Sequence, residues 1–158
     1  MRLSLVELGL LAAAAAVAAS ALPGCLGSSG GAVVRASWSL TPGVLNPDVT
    51  QATIAATICR RGWTRTIRPP VSYTNGLKAK GLRTYRLRGP PSAYQEDHLI
   101  SLELGGDPVD PRNLWPEPYP RASEVDTIEN ELNRKVCSGD LTLDEAQRRE
   151  SALKHADG

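Results

Sequence analysis

Between Pro90 and Pro120 the chain is interrupted so often that it has room for only a small piece of sheet. Pro90-Pro91 opens the stretch, Gly105-Gly106 divides it, and Pro108, Pro111, Pro116, Pro118 and Pro120 crowd its second half. Proline lacks the amide that a sheet ladder needs and is confined to edges and turns. Within those limits His98 to Leu104 alternates in part, as a half-buried strand does, and Gly105-Gly106 ends it. A second short strand fits around Asn113 to Trp115. The expected centre is a small β-hairpin, with helices supplying the rest of the core.

Helix signals flank that centre. Asn46 is a good N-cap and Pro47 suits the first helical position, so a helix is expected to about Arg61, stopped by Gly62. It would place Val49, Ala52, Ala56 and Cys59 on one face. Ser72 can cap a short helix from Tyr73 to Lys80, ended by Gly81. After the prolines, Ser123 caps a helix whose apolar stripe is Val125, Ile128, Leu132 and Val136 and whose end is Gly139. Thr142 and Glu145 have capping-box spacing for a last helix, Leu143 to about Lys154. The expected class is α+β: a helical N-terminal part, a small hairpin followed by a helix, and a C-terminal helix.

The N-terminus reads differently. Met1-Arg2 precedes an unbroken run of apolar and small residues from Leu8 to Leu22, short for a membrane span. Residues 1–24 are read as a secretory signal, residues 25–37 as a flexible linker, and residues 38–158 as the folded domain. Cys25 stands where a bacterial lipoprotein carries its lipidated cysteine, so the chain is expected to be exported, either released or anchored at the outer side of the cytoplasmic membrane. Setting Cys25 aside leaves Cys59 and Cys137, an even pair in an oxidising compartment, expected to be bridged. No Cys-x-x-Cys and no His near either cysteine points to structural zinc.

A net charge of +1 hides an asymmetry. From Arg60 to Gln95 there are nine Lys or Arg and no acid, whereas from Glu96 onward fifteen acids face seven bases. A basic segment beside an acidic one suits a polyanion held by the first and a cation held by the second. Arg83, Arg86 and Arg88 are the candidate phosphate contacts. The plain alternative is a solvated surface.

The chain has two histidines, and His98 follows Asp97 directly. An imidazole titrates near neutrality and can take a proton from water. Asp97 is a hard-oxygen ligand for a divalent cation such as Mg²⁺, Mn²⁺ or Zn²⁺. Adjacent strand residues point to opposite faces, so the pair can serve one site only where the strand begins or bends. An amide near the far ring nitrogen would fix the tautomer, and Asn113 is the candidate. A second ligand should come from the following helix. At about 100° per residue Glu129 lies about 55° from the centre of the apolar stripe and Asn130 about 155°. That favours Glu129 as the ligand, with Asn130 and Asn133 as alternatives.

Glu96-Asp97-His98, Gly105-Gly106 and Arg112-Asn113-Leu114 together resemble the first two-thirds of the HNH endonuclease motif of the His-Me finger superfamily. More widely, the stretch from Thr41-Pro42-Gly43 through Asn113-Leu114-Trp115-Pro116-Glu117-Pro118 to Val136-Cys137 resembles small exported bacterial HNH-like proteins. The resemblance implies His98 as general base, Asp97 as metal ligand, Asn113 as the residue positioning the base, and a hairpin and helix clasping one divalent metal. It implies a monomeric nuclease with nucleic acid, DNA before RNA, as its partner. The chain departs from the motif in its third letter: Glu129 and Asn130 stand in the helix, and no further His occurs before His155. The alternative is a non-catalytic exported module that keeps the fold and binds DNA or another polyanion. A serine triad lacks its histidine for Ser101, and a Glu96–Glu103 glycosidase pair lacks flanking aromatics.

Overall fold

The computed structural model describes residues 33–158; the signal segment, the first part of the linker and Cys25 lie outside the described residues. The mixed helix and strand class is as expected: the described residues form four α-helices and one two-stranded antiparallel sheet. The helices are α1 (Trp63–Ile67), α2 (Val71–Thr84), α3 (Arg121–Ser138) and α4 (Leu143–Ala156), and the strands are β1 (Tyr94–His98) and β2 (Leu114–Pro118). Tyr94 pairs with Pro118 and His98 with Leu114. Pro116 and Pro118 are tolerated because a two-stranded ribbon is all edge.

The expected strand from His98 to Leu104 is corrected. β1 ends at His98, and burial from Asp97 to Leu102 is continuous rather than alternating. Leu99, Ile100, Leu102 and Leu104 all go into the core, the last two from a 3₁₀ turn. The Asn113 side chain pairs with this buried loop as a neighbouring strand would. Its Oδ1 accepts from the Ile100 amide at 2.9 Å, and its Nδ2 donates to the carbonyls of Ile100 (3.0 Å) and Asp107 (2.9 Å). Gly106 passes so close that a Cβ there would lie 1.7 Å from the Ile100 carbonyl oxygen.

The expected helix from Pro47 to Arg61 is also corrected. Asn46 does receive the Asp48 amide, but only turns and a 3₁₀ segment (Ile54–Ala56) follow. The Thr53 hydroxyl donates to the Asp48 and Thr50 carbonyls and Thr57 to Thr53. Threonines bonding back to local backbone compete with a helix. Conversely, α2 runs longer than expected. Gly81 lies inside it, at a close approach where a Cβ would meet Pro116 Cδ at 2.9 Å. α3 starts two residues before Ser123 and ends at Gly139, which takes the left-handed conformation, φ 86°. Thr142 caps α4 by accepting the Glu145 amide at 3.2 Å.

α2 covers the hairpin face that carries Glu96 and Pro116, while α3 and α4 cover the face that carries Asp97 and Glu117. The main core joins Ile100 and Leu104 to Leu132 and Val136 of α3 and Leu143 and Ala146 of α4. A second cluster is Ala36, Leu99 and Trp115. The linker therefore ends earlier than expected, since Ala36 is buried and its amide donates to the Lys154 carbonyl at 3.0 Å.

Cys59 and Cys137 are bonded, with Cα atoms 5.5 Å apart. Cys59 packs on the core edge and Cys137 is exposed, so the bond staples the turn region to the end of α3 at the surface. Such a bond fits an oxidising compartment. Among the described residues no helix is long and apolar enough to cross a membrane. Closing a loop of 78 residues restricts the unfolded chain, so the Cys59→Ala/Cys137→Ala protein should lose about 2–4 kcal/mol in urea unfolding. An unchanged midpoint would show that the turn region is held by packing alone.

Candidate functional site

Asp97 and His98 do share one site, because β1 stops there and the chain turns. Both line a cavity of about 310 Å³ with Gln95, Arg68, Asp126 and Glu129. His98 is buried. Its Nε2 lies 3.1 Å from the Pro108 carbonyl oxygen. A carbonyl can only accept, so Nε2 carries the proton and Nδ1 keeps its lone pair. Burial holds the imidazole below its ordinary pKa, partly offset by the Pro108 hydrogen bond and by Asp97. The ring is thus a neutral acceptor at pH 7.

Asn113 does not touch this ring, contrary to the sequence expectation. Its amide is used by Ile100, Asp107 and the Val44 amide (3.4 Å). It acts one step removed, by shaping the loop that presents the Pro108 carbonyl to His98.

Behind the cavity lies a buried charge cluster. The Lys154 ammonium, fully enclosed, donates to Asp97 Oδ2 at 2.7 Å, Glu129 Oε1 at 2.6 Å and the His98 carbonyl at 2.5 Å. Glu150 lies 3.4 Å away and receives the Ser101 amide at 2.9 Å. Burial alone would raise the Asp97 carboxyl. Lys154, the adjacent Glu117 carboxyl and the neighbouring His98 reverse this and hold it below its ordinary value. Burial pushes Glu129 well above the usual carboxylate range against the pull of Lys154, and it raises Glu150 likewise. Glu117, wholly buried beside Asp97, is pushed up to about 9 by desolvation first and by Asp97 second. For Lys154, burial works against the charge, but Asp97, Glu129 and Glu150 together raise it well above normal. In the resting cluster one ammonium faces Asp97, Glu129 and Glu150, and burial favours the neutral form of Glu117, Glu129 and Glu150.

Lys154 takes one oxygen from Asp97 and one from Glu129, on the side away from the cavity. Gln95 Nε2 bridges the front, 3.4 Å from Asp97 Oδ1 and 3.2 Å from Asp126 Oδ1. Asp97, Asp126 and Glu129 each offer a ligand atom within 4.8 Å of the others. Glu129 is buried in the cluster, as its helical phase indicates, whereas Asn130 is exposed and bonds back to the Asp126 carbonyl. Asn133 is turned to the carbonyls of Glu103 and Ile58. Arg83, Arg86 and Arg88 are exposed and do not line the cavity; of the basic segment, Arg68 does.

Sequence reasoning missed Lys154, Glu150, Glu117, Asp126 and Arg68. A usable signal existed in α4. Glu150 and Lys154 are spaced i, i+4 on the same stripe as Leu143, Ala146 and Gln147, and charges on an apolar stripe are paired when buried.

Comparison of the chain with protein-family models, with curated proteins and with solved structures finds no match.

Glu117 gives a sign-determined pH test in metal-free protein. Its folded pKa lies far above the ordinary 4.5, so the stability it contributes is fully present below that value and is lost as pH rises towards about 9. Glu117→Gln keeps the neutral shape without the proton. Its stability relative to wild type should climb between about pH 5 and 9, by no more than about 1.4 kcal/mol per pH unit. Parallel pH profiles in urea unfolding would contradict the assignment.

Proposed function

We propose that this protein is an exported, metal-dependent nuclease of HNH type, built around a ββα-metal arrangement of β1, β2 and α3. The reading is carried by one observation: a neutral histidine, anchored through Nε2 and with Nδ1 unbonded, shares a cavity with three converging carboxyl groups. His98 Nδ1 is the general base that takes the proton from the attacking water. The Pro108 carbonyl holds the ring and stabilises the positive charge that develops on it. Asp97, Asp126 and Glu129 would hold one divalent ion. Their all-oxygen donor set suits Mg²⁺ or Mn²⁺ better than Zn²⁺. When bound, such an ion polarises the phosphate and stabilises the leaving oxygen. Arg68, exposed at the cavity edge, is placed to meet a phosphate there, and Arg83, Arg86 and Arg88 would contact more distant phosphates of a DNA substrate without reading bases.

One observation favours the non-catalytic alternative, a polyanion-binding module. Lys154 already compensates Asp97 and one oxygen of Glu129, so the cluster is balanced without a metal.

Plasmid DNA incubated with the protein and Mg²⁺, Mn²⁺ or Zn²⁺, against EDTA, separates the two readings. Metal-dependent nicking is expected, with His98→Ala slower by about 10²–10⁴-fold. In Mn²⁺ titrations Asp97→Ala and Glu129→Ala should weaken binding more than Asn130→Ala does. Wild-type rates in His98→Ala would remove the base assignment, and absence of nicking under every metal would leave the binding module.

A further inference from the structure

A second cavity adjoins the first. It measures about 520 Å³ and lies between α3 and the segment from Ile58 to Thr64. Glu103 lines both cavities, so the two meet end to end in one trench. The α3 wall follows from helix geometry. Asp126, Asn130, Asn133 and Cys137 are spaced so that they share one side of the helix, with Arg134 at its margin. At about 1.5 Å per residue that wall is about 16 Å long. The two walls are tied at the base. The Asn133 amide donates to the Glu103 carbonyl at 2.7 Å and to the Ile58 carbonyl at 3.4 Å. The Cys59–Cys137 bond closes the far end, with Cα atoms 5.5 Å apart.

Four arginines line this trench: Arg68 at the end nearer His98, and Arg60, Arg61 and Arg134 towards the disulfide. All four are exposed, and none forms an ion pair among the described residues. By contrast Arg112, Arg121, Arg148 and Arg149 each pair with an acid. The one acid lining the disulfide half is Glu103, which is partly buried. Unpaired cations along a concave wall focus a field that favours an anion. An anion able to engage them at successive points along the trench is a polymer of phosphates. Beside Arg60 and Arg61 a smaller cavity of about 200 Å³ is lined by Trp63. Trp63 packs on the main core and is only partly buried, so its ring can also stack on a base.

We propose that this trench carries a single nucleic-acid strand away from the cavity of Asp97 and His98, with its phosphates on Arg68, Arg134, Arg61 and Arg60. At a stacked rise of about 3.4 Å per nucleotide, its length takes about four or five nucleotides. Walls tied at the base and at one end leave room for one strand and not for a duplex. The proposal rests on the nuclease reading for the chemistry at the cavity end, whereas binding along the trench needs neither metal nor His98.

The test is fluorescence anisotropy in EDTA with a labelled oligothymidylate of about twenty nucleotides. A blunt DNA hairpin with the same number of phosphates and inorganic polyphosphate are the comparisons. The single strand should bind saturably, and the hairpin more weakly by about tenfold or more. Arg60→Gln/Arg61→Gln/Arg134→Gln should lower the log–log salt slope for the single strand by about 2, at about 0.7 per phosphate contact. Arg112→Gln/Arg148→Gln/Arg149→Gln removes the same charge away from the trench and should stay within about twofold of wild type. No saturable strand binding by about 1 mM, or a hairpin that binds as tightly as the strand, overturns the proposal. So does an equal loss in the two triple variants, and polyphosphate binding as tight as the strand overturns it in favour of a general polyanion site. Plasmid nicking without strand binding would sink the trench and leave the nuclease. Strand binding lost in the trench variant, with no nicking under any metal, would support the trench and sink the nuclease.

Discussion

A single buried ammonium joins the parts of this protein that matter for its chemistry. Lys154 reaches from the last turn of α4 to Asp97 and the His98 carbonyl at the end of β1, and to Glu129 in the middle of α3. Removing one partner of such a buried group leaves an uncompensated charge, typically at a cost of about 3–5 kcal/mol. The contact also has a direction. It draws one oxygen of each carboxyl towards α4 and leaves Asp97 Oδ1 to the Gln95 amide beside Asp126. The Lys154 main chain has a further task, accepting the Ala36 amide and so fixing the N-terminal segment over Leu99 and Trp115.

Asn113 is the second fixed point. A loop with continuous burial from Asp97 to Leu102 must pair its backbone somewhere. The Asn113 amide does this for Ile100 and Asp107, and Gly106 lets the backbone close around it. The loop so formed delivers the Pro108 carbonyl to His98. A residue expected to hold the imidazole directly thus holds the chain that holds it.

Much of this was legible wherever the signal was local. The Thr142 cap, the Gly139 stop and the turning of Glu129 rather than Asn130 towards the interior all follow from helix geometry and spacing. So did the meeting of Asp97 and His98, given a strand that ends between them and the loop. Other features depend on distant partners. The run from His98 to Leu104 carries a period-two pattern, yet its partner is a side chain and not a strand. The helix expected after Pro47 yields to threonines that bond to local carbonyls. Lys154 is 57 residues from Asp97 in sequence, and no local pattern links an α4 lysine to a β1 aspartate. Its placement on an apolar stripe was the one available hint.

Under the proposed function, the cavity of Asp97, Asp126, Glu129 and His98 would take a divalent metal beside a poised base. Crystals grown with Mn²⁺ and measured for anomalous scattering test it most directly. One Mn²⁺ peak is expected, with carboxylate oxygens of Asp97, Asp126 and Glu129 at about 2.0–2.2 Å, the range of compact divalent ions with oxygen ligands. His98 Nδ1 should stay off the metal, within reach of a bound water. No peak in the cavity at saturating Mn²⁺, with Lys154 alone bridging Asp97 and Glu129, would contradict it.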